Sequence, residues 1–148
     1  MININIKKIH PDAIIPQYQT AGSAGFDLHA ISEILIPKQS TVLVPTGLCF
    51  EIPVGYELQI RPRSGMSLKT NLRIANSPGT IDSDYRGEVC IICTNTADNG
   101  SHHIKKHERI AQAVLAKVEQ AVFITVDELT ETTRGEGGFG HTDKNKQS

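Results

Sequence analysis

A Ser-Asp segment between two glycines is the first candidate for chemistry. Residues 79–88 read G-T-I-D-S-D-Y-R-G-E, a pattern typical of a β-hairpin. A hairpin tip exposes backbone N–H and C=O groups, which can imitate the pairing edge of a nucleotide base. Asp82 follows the apolar Ile81, so we expect a partly shielded carboxylate that accepts a proton from water. Tyr85 offers a ring for a sugar or base, although turn chemistry alone also explains these residues.

A second candidate binds anions. Arg63, Ser64 and Gly65 lie in the segment R-P-R-S-G-M-S over residues 61–67, directly after an alternating apolar stretch. A helix that begins near Ser64, with that residue as N-cap, presents free N–H groups and a positive dipole end beside Arg63. The alternative interpretation is an ordinary helix start with a solvated arginine.

The segment E-R-I-A-Q over residues 108–112 places an amide among apolar residues. If the segment is a strand, Gln112 shares a face with Ile110 and Val114. A buried amide needs hydrogen-bond partners. Gln112 is therefore either a structural hydrogen-bonding residue or a site residue.

The C-terminal segment is rich in glycine and poor in large apolar residues. Arg134 and Phe139 bracket three glycines in R-G-E-G-G-F-G. A frayed terminus is the simpler interpretation, because little apolar surface is available to offset the ordering entropy. A bidentate anion binder, a stacking ring and a permissive backbone also favour a lid over a phosphorylated ligand.

The Cys90-x-x-Cys93 pair, followed by His103 and His107, resembles a zinc pattern. The surrounding residues predict a buried strand, in which positions i and i+3 point to opposite faces. Two thiolates so placed cannot share one metal ion. We therefore expect both cysteines to be small apolar residues of a sheet.

Period-two alternation predicts the elements that position these residues. Apolar and polar residues alternate at Ile2–Lys7, Phe26–Ala30, Tyr56–Arg61 and Val122–Val126, with turn formers between them. Such short strands predict an all-β fold of sandwich, jelly-roll or barrel type. Residues 64–70 are expected to form a helix. In residues 108–118, the other stretch that could be helical, apolar and polar residues alternate, so we expect a strand there.

Length and composition exclude several classes of protein. The 148 residues are 39% hydrophobic with a net charge of −1, which predicts one globular domain without a broad nucleic-acid-binding surface. No apolar run approaches a membrane span, and the alternating N-terminus lacks a secretory core. Three cysteines, an odd number, favour a reducing cytoplasm. We expect a barrel over residues 1–126 and a flexible arm over 127–148.

Taken together, these motifs resemble the trimeric dUTP pyrophosphatase (dUTPase) family. The resemblance implies a distorted jelly-roll β-barrel, a homotrimer with active sites shared between chains, and Mg²⁺ on the triphosphate. It implies hydrolysis of dUTP to dUMP and pyrophosphate by water attack on the α-phosphorus, which lowers dUTP and supplies dUMP for dTMP synthesis. Five motifs carry it, in family order: S-A-G-F-D-L (Ser23 to Leu28), P-R-S-G-M-S (Pro62 to Ser67), G-T-I-D-S-D-Y-R-G (Gly79 to Gly87), E-R-I-A-Q (Glu108 to Gln112) and R-G-E-G-G-F-G (Arg134 to Gly140).

The resemblance also implies a role for each matching residue. Asp82 is the expected general base, and Asp27 is expected in the second shell of the metal, through water, with no direct protein ligand. The implied phosphate-binding residues are Arg63, Ser64, Gly65 and Gln112. Those implied for the base and sugar are Asn76, Thr80, Ile81 and Tyr85, and those of the lid are Arg134, Phe139, Gly140, His141 and Thr142.

Two positions depart from the family pattern. His107 stands where the family usually has glycine. In the last motif, His141 stands where the family usually has serine, and Asp143 where it usually has glycine. Both changes concern the lid and leave the proposed base in place. The alternatives are a dCTP deaminase, which releases ammonia instead of pyrophosphate, a non-enzymatic binding protein on the same fold, and a zinc module.

Overall fold

Ten strands and one short helix make up the regular structure of residues 1–140, the part of the chain that this computed structural model describes. Their burial follows the alternation of the sequence: in β8 every second residue is buried, as a strand with one core face requires. In chain order the elements are β1 (Asn5–Lys8), β2 (Phe26–His29), β3 (Ile34–Ile36), β4 (Ser40–Glu51), β5 (Tyr56–Arg61), α1 (Ser64–Lys69), β6 (Leu72–Ile74), β7 (Gly79–Ile81), β8 (Glu88–Asn95), β9 (His102–Ile104) and β10 (Arg109–Lys117).

The strands form two four-stranded sheets and one two-stranded sheet. The first sheet has the order β1-β4-β8-β6, the second β2-β10-β5-β7, and the third pairs β3 with β9, all antiparallel. Aliphatic side chains such as Leu28, Val44, Leu58, Ile91 and Ile110 are almost fully buried in the core. The predicted all-β, jelly-roll-like fold with one short helix is confirmed, although the described strands do not close into a single barrel.

The segment expected to be a hairpin instead connects the two large sheets. β7 pairs with β5 in the second sheet, whereas β8 pairs with β4 and β6 in the first. A turn joins them, in which the N–H of Tyr85 donates to the C=O of Asp82 at 3.2 Å. The hairpin prediction is wrong because turn residues fix a local reversal and not the sheet that the next strand joins.

The chain beyond β10 is extended and exposed. Val122, Phe123 and Ile124 are 89%, 95% and 80% exposed, and no strand forms between Lys117 and residue 140. The strand predicted at Val122–Val126 is therefore absent from the isolated chain. Its alternating pattern is intact, but a strand also needs a neighbour for its N–H and C=O groups.

Across residues 1–140, no helix has the length and apolar character needed to cross a bilayer.

Candidate active site

A cavity of about 230 Å³, which we call the phosphate-side cavity, opens at one end of the second sheet. β2 and β10 bring the first and fourth sequence motifs together by pairing Asp27 with Gln112, and the second motif begins directly after β5. The cavity thus gathers residues that lie far apart in the sequence. It is lined by Gln19, Ser23, Gly25, Asp27, Arg63, Ser64, Gly65 and Gln112.

Asp27 orients two guanidinium groups at this cavity. Its carboxylate accepts from Nε of Arg63 at 2.8 Å and from Nη1 of Arg109 at 3.3 Å. The side chains of Asp27 and Arg63 are only 13% and 28% exposed, so these charge-assisted bonds are partly shielded from water. Nη1 of Arg63 also donates to the C=O of Arg109. The geometry holds a cation beside the cavity without requiring a ligand.

Gln112 has the partners that a half-buried amide needs. Its Nε2 donates to the C=O of Pro62 at 2.9 Å. Its Oε1 faces Gly25, where an added Cβ would lie 2.8 Å from that oxygen. Gly25 therefore allows β2 to approach the amide closely, and Gln112 ties the turn after β5 to β10.

Ser64 lies at the cavity, but it is not the N-cap. The cap position is Arg63, with extended φ of −92° and ψ of 133°, and no side-chain hydrogen bond closes it. The predicted helix is present over Ser64–Lys69, and the predicted capping role of Ser64 is wrong. Because its hydroxyl is not used for capping, the exposed Ser64 side chain is available to a ligand.

Asp82 lies in a different cavity, of about 640 Å³, which we call the carboxylate-side cavity. Thr80, Ser83 and Asp84 line it together with residues of the β5 start and of the chain after β10. Asp82 is exposed and Ile81 is only half-buried. The partial shielding predicted from the apolar neighbour is therefore absent in the isolated chain.

The two cavities lie at opposite ends of β5 and share no lining residue. Ile81 pairs with Leu58, so Asp82 lies beside the start of the strand, whereas Arg61 at its other end pairs with Gln112. At about 3.3 Å per residue, Glu57 and Arg61 are roughly 13 Å apart, and Ser64 lies beyond Arg61. One chain therefore does not bring Asp82 next to Ser64.

The residues expected near a base and sugar occupy the edge around β7. Asn76 and Thr80 are exposed, and the Asn76 amide lies against Gly79, where an added Cβ would be 3.2 Å from Nδ2. The hydroxyl of Tyr85 donates to the C=O of Glu88 at 3.0 Å. Its ring packs against Gly87, where a Cβ would lie 2.6 Å from Cζ. The lack of a side chain at Gly87 thus lets the ring lie beside the turn that contains Asp82.

The glycine-rich tail forms a small turn of its own. Nε of Arg134 donates to the C=O of Gly137 at 2.7 Å, and Phe139 is fully exposed. Gly140 has a positive φ of 80°. Neither Arg134 nor Phe139 lines either cavity. His141 and Thr142 lie outside the described residues.

Cys90 and Cys93 do not form half of a metal site. Their positions on β8 alternate in burial, so the side chains point to opposite faces. Burial raises the pKa of Cys93 to about 12, and burial together with the nearby Glu88 raises that of Cys90 to about 11. Within residues 1–140, no three His, Cys, Asp or Glu side chains gather as a metal site.

Sequence reasoning missed one contributor, Arg109. In the sequence it stands only within the motif E-R-I-A-Q, yet in the structure it is the second cation on Asp27. Arg109 lies at the start of β10 and pairs with His29 of β2. Its contact with Asp27 could be predicted only if the pairing of these two strands were known.

Comparison with known proteins gives consistent matches over most of the chain. A family model described as dUTPase matches residues 11–143. The deoxyuridine 5'-triphosphate nucleotidohydrolase of Nautilia profundicola is 53% identical, with 97% of this chain and 100% of that protein covered. The protein of the same name from Helicobacter pylori strain Shi470 is 50% identical, with 98% and 99% covered.

Solved structures match the fold. A Staphylococcus bacteriophage 80alpha dUTPase mutant with dUpNHpp superposes with a TM-score of 0.90 at 26% identity, covering 96% of this chain and 99% of that one. A dUTPase mutant of the S. aureus phage phi11, described with a structural Mg(II) ion, has a TM-score of 0.80 at 22% identity, covering 86% and 98%. At that identity the second likeness concerns the fold alone.

Proposed function

Since this chain belongs to the dUTPase family, we propose how its own residues carry out the reaction of that family. The chain is an enzyme that hydrolyses dUTP to dUMP and pyrophosphate. The main observation behind a site shared between copies is that Asp82 lies apart from the phosphate-side cavity within one chain.

Asp82 is the proposed general base. Its exposed carboxylate accepts a proton from water, while the water oxygen bonds to the α-phosphorus of dUTP. The bond from that phosphorus to the oxygen bridging the α- and β-phosphates breaks, and that oxygen leaves with pyrophosphate. A positioned base contributes about 10² to 10⁴ in rate.

The phosphate-side cavity holds the triphosphate. Arg63, oriented by Asp27 at 2.8 Å, supplies a fixed positive charge. The Ser64 hydroxyl donates near the oxygen bridging the α- and β-phosphates and stabilises the charge that develops there. Gly65 leaves room for the phosphates, and Gln112 holds a phosphate oxygen or the attacking water.

The edge around β7 reads the nucleoside. Backbone groups between Thr80 and Tyr85, together with the Asn76 amide, present donors and acceptors to the uracil edge. The Tyr85 ring, fixed against Gly87, packs on the deoxyribose and leaves no space for a 2′-hydroxyl. Ile81 contributes an apolar contact next to Asp82.

The arm over residues 127–148 closes the site as a lid on the domain of residues 1–126. Arg134 pairs with the γ-phosphate, and Phe139 covers the uracil ring. Gly140 provides the positive φ that the turn uses. His141 and Thr142 are proposed to contact the γ-phosphate. Closing the arm excludes water other than the nucleophile.

Mg²⁺ is the proposed cofactor, carried on the substrate. Both oxygens of Asp27 already accept guanidinium hydrogen bonds, so this carboxylate suits contact through water better than direct ligation. Mg²⁺ keeps several waters and prefers substrate phosphates to a protein cage, so the residues present fit it. When bound, it neutralises charge on the triphosphate.

A homotrimer completes the site. Asp82 and Ser64 lie at opposite ends of β5, so a site that contains both takes them from different copies. The exposed apolar residues Val122, Phe123 and Ile124 provide surface for a neighbouring copy to cover. Each of three sites then combines the phosphate-side cavity of one chain, the carboxylate-side cavity of a second and the arm of a third.

Complementation between two inactive variants tests the shared site. D82N and R63A are each expected to be inactive as homotrimers. Co-refolded together, they form mixed trimers in which Asp82 from one chain meets Arg63 from another, so pyrophosphate release returns. A mixture of D82N with the double variant D82N/R63A is the control that stays inactive. No recovery in stable mixed trimers would contradict the shared site.

The proposed place of action is the cytoplasm, where the enzyme lowers dUTP and supplies dUMP for dTMP synthesis. The support is chemical: Cys49, Cys90 and Cys93 are all free thiols, as a reducing compartment favours. Purified protein incubated with Mg²⁺ and each dNTP in turn tests the substrate. Pyrophosphate from dUTP is expected, and ammonia from dCTP would favour the deaminase instead.

A further inference from the structure

A third cavity, of about 470 Å³, lies next to helix α1 and is lined mainly by basic side chains. We call it the basic cavity. Arg63, Lys69, Arg109, His29 and His107 line it, and Glu108 is the carboxylate among its lining residues. Oε2 of Glu108 already accepts from the N–H of Lys105 at 2.7 Å. The cavity therefore contains one carboxylate among five basic side chains.

The neighbouring carboxylate does not remove this excess. Asp27 is shared between Arg63 and Arg109, and Lys69 adds a third permanent cation. The two carboxylates are thus outnumbered by three permanent cations, with two imidazoles beside them. Burial chiefly lowers the pKa of His29, Asp27 opposes that effect, and the charges of Arg109, His107 and Arg63 add to the lowering. Three permanent cations against two carboxylates leave a net positive charge at the cavity, and that charge favours an anion.

His107 is held with its ring at this cavity. Its φ is 64°, a conformation that glycine adopts more readily. Its N–H donates to the C=O of Ala30 at 2.7 Å, and its Nε2 lies 3.0 Å from the C=O of Asp12. A carbonyl oxygen only accepts, so Nε2 donates there and the ring is fixed at that edge. The imidazole is thereby preorganised beside Arg109 and His29.

The basic cavity adjoins the phosphate-side cavity. Arg63 and Gly65 line both. An anion released at Ser64 therefore reaches Lys69 and His107 without leaving the influence of Arg63. This continuity distinguishes the cavity from an isolated basic patch on the surface.

We propose that the basic cavity binds the pyrophosphate product. The inference rests on the proposed function, in which a diphosphate anion is formed beside Arg63. The shared chemistry is a short chain of phosphate groups, which either pyrophosphate or the triphosphate tail of dUTP supplies. We assign the cavity to the product because Lys69 and His107 lie outside the cavity that holds the substrate phosphates.

Titration calorimetry with inorganic pyrophosphate alone, without Mg²⁺ or nucleotide, tests binding to the full chain. K69Q removes a cation at an exposed position, and H107G removes the imidazole while suiting the positive φ. Each loses a charged or polar contact, so the double variant is expected to bind pyrophosphate about tenfold more weakly. K38Q, an exposed lysine outside the cavity, is the matched control and should bind as the wild type does. Equal pyrophosphate affinity in the wild type, the double variant and K38Q would overturn the proposal.

Inhibition kinetics distinguish product from substrate. The double variant should show a higher inhibition constant for pyrophosphate, with kcat and KM for dUTP within about twofold of wild type. A parallel rise of KM would place the substrate tail in the cavity and overturn the assignment to product. Failure of the wild type to release pyrophosphate from dUTP would contradict the proposed function instead, and calorimetry would still decide whether the cavity binds pyrophosphate.

Discussion

At the scale of the residue, Gly25 shows how closely the site is packed. A Cβ at this position would lie 2.8 Å from Oε1 of Gln112 and 3.2 Å from the C=O of Ala113. The amide would have to move, and its bond to the C=O of Pro62 would be disturbed. The absence of a side chain at residue 25 is thus a condition for the placement of Gln112.

Gly25→Ala should lower kcat/KM for dUTP by about tenfold or more, since displacement of a positioned polar contact costs roughly 1–3 kcal/mol. Steady-state pyrophosphate release measures the effect. Gly22→Ala is the matched control, because nothing lies within 4 Å of a Cβ there, and it should keep wild-type kinetics. Wild-type kinetics in Gly25→Ala as well as in Gly22→Ala would mean that Gln112 has no part in substrate binding.

Asp82→Asn should remove catalysis and leave dUTP binding largely intact. The amide cannot accept the proton of water, and loss of a general base costs about 10² to 10⁴ in rate. Single-turnover pyrophosphate release measures the rate, and calorimetry with dUTP measures binding. Asp84→Asn changes a carboxylate lining the same cavity and should stay active. Turnover near wild type in the Asp82 variant would exclude that residue as the base.

Residue-level inference from the sequence worked where chemistry depends on local order. The need of Gln112 for partners, and the opposite faces of Cys90 and Cys93, follow from strand periodicity alone. The N-cap at Arg63 and the exposure of Asp82 did not follow, because each depends on where the chain lies after its turn. The sharing of Asp27 between Arg63 and Arg109 needs the pairing of β2 with β10, which no short segment encodes.

At the scale of the element, β5 places the functional groups. Its start lies beside Asp82 through the pairing of Leu58 with Ile81, and its end leads into Arg63 and Ser64. The alternation at Tyr56–Arg61 predicted the strand correctly. The neighbours of β5, which are β7 and β10, were not predicted, since alternation reports a buried face and not a partner strand.

The segment after β10 is an element that the isolated chain leaves unfinished. Its alternating residues predicted a strand at Val122–Val126, yet their side chains are exposed. An exposed apolar stretch of this kind favours burial against another surface. We therefore expect residues 118–126 to stabilise the assembly and residues 127–148 to serve the site.

Two truncations separate these roles. A chain ending at Thr133 should keep its fold and its trimer but lose most turnover, because Arg134 and Phe139 are removed and little apolar surface goes with them. A chain ending at Lys117 should also lose the trimer, since Val122, Phe123 and Ile124 are gone. Sedimentation and pyrophosphate release measure the two effects. Full activity in the chain that ends at Thr133 would exclude a role for the arm as a lid.

At the scale of the whole molecule, the ionisation of two thiols opposes folding: Cys93 lies in the core, and Cys90 is partly buried on the other face of β8. Burial raises the pKa of Cys93 to about 12 and that of Cys90 to about 11, from a reference of 9.0. In the unfolded chain both thiols lose their protons first as the pH rises. The contribution of these two thiols to the free energy of unfolding is complete below about pH 9. It is lost as the pH rises towards their folded-state pKa values of about 11 and 12.

The free energy of unfolding should therefore fall more steeply between pH 8.5 and 10.5 in the wild type than in Cys93→Val, which removes one buried thiol. Urea denaturation at a fixed protein concentration measures both slopes, and the fixed concentration keeps any assembly constant. Far-ultraviolet circular dichroism at pH 7 checks that the variant folds. Parallel slopes would mean that the Cys93 thiol does not ionise on unfolding in this range.

The length of β5 also has a consequence for when the proposed shared site is assembled. A chain newly released from the ribosome carries its proposed base at one end of that strand and its phosphate-binding groups beyond the other. With the shared site proposed above, such a chain is expected to be inert until it meets further copies. Catalysis then depends on the abundance of the protein as well as on its folding, so a sparsely expressed gene yields disproportionately little hydrolysis.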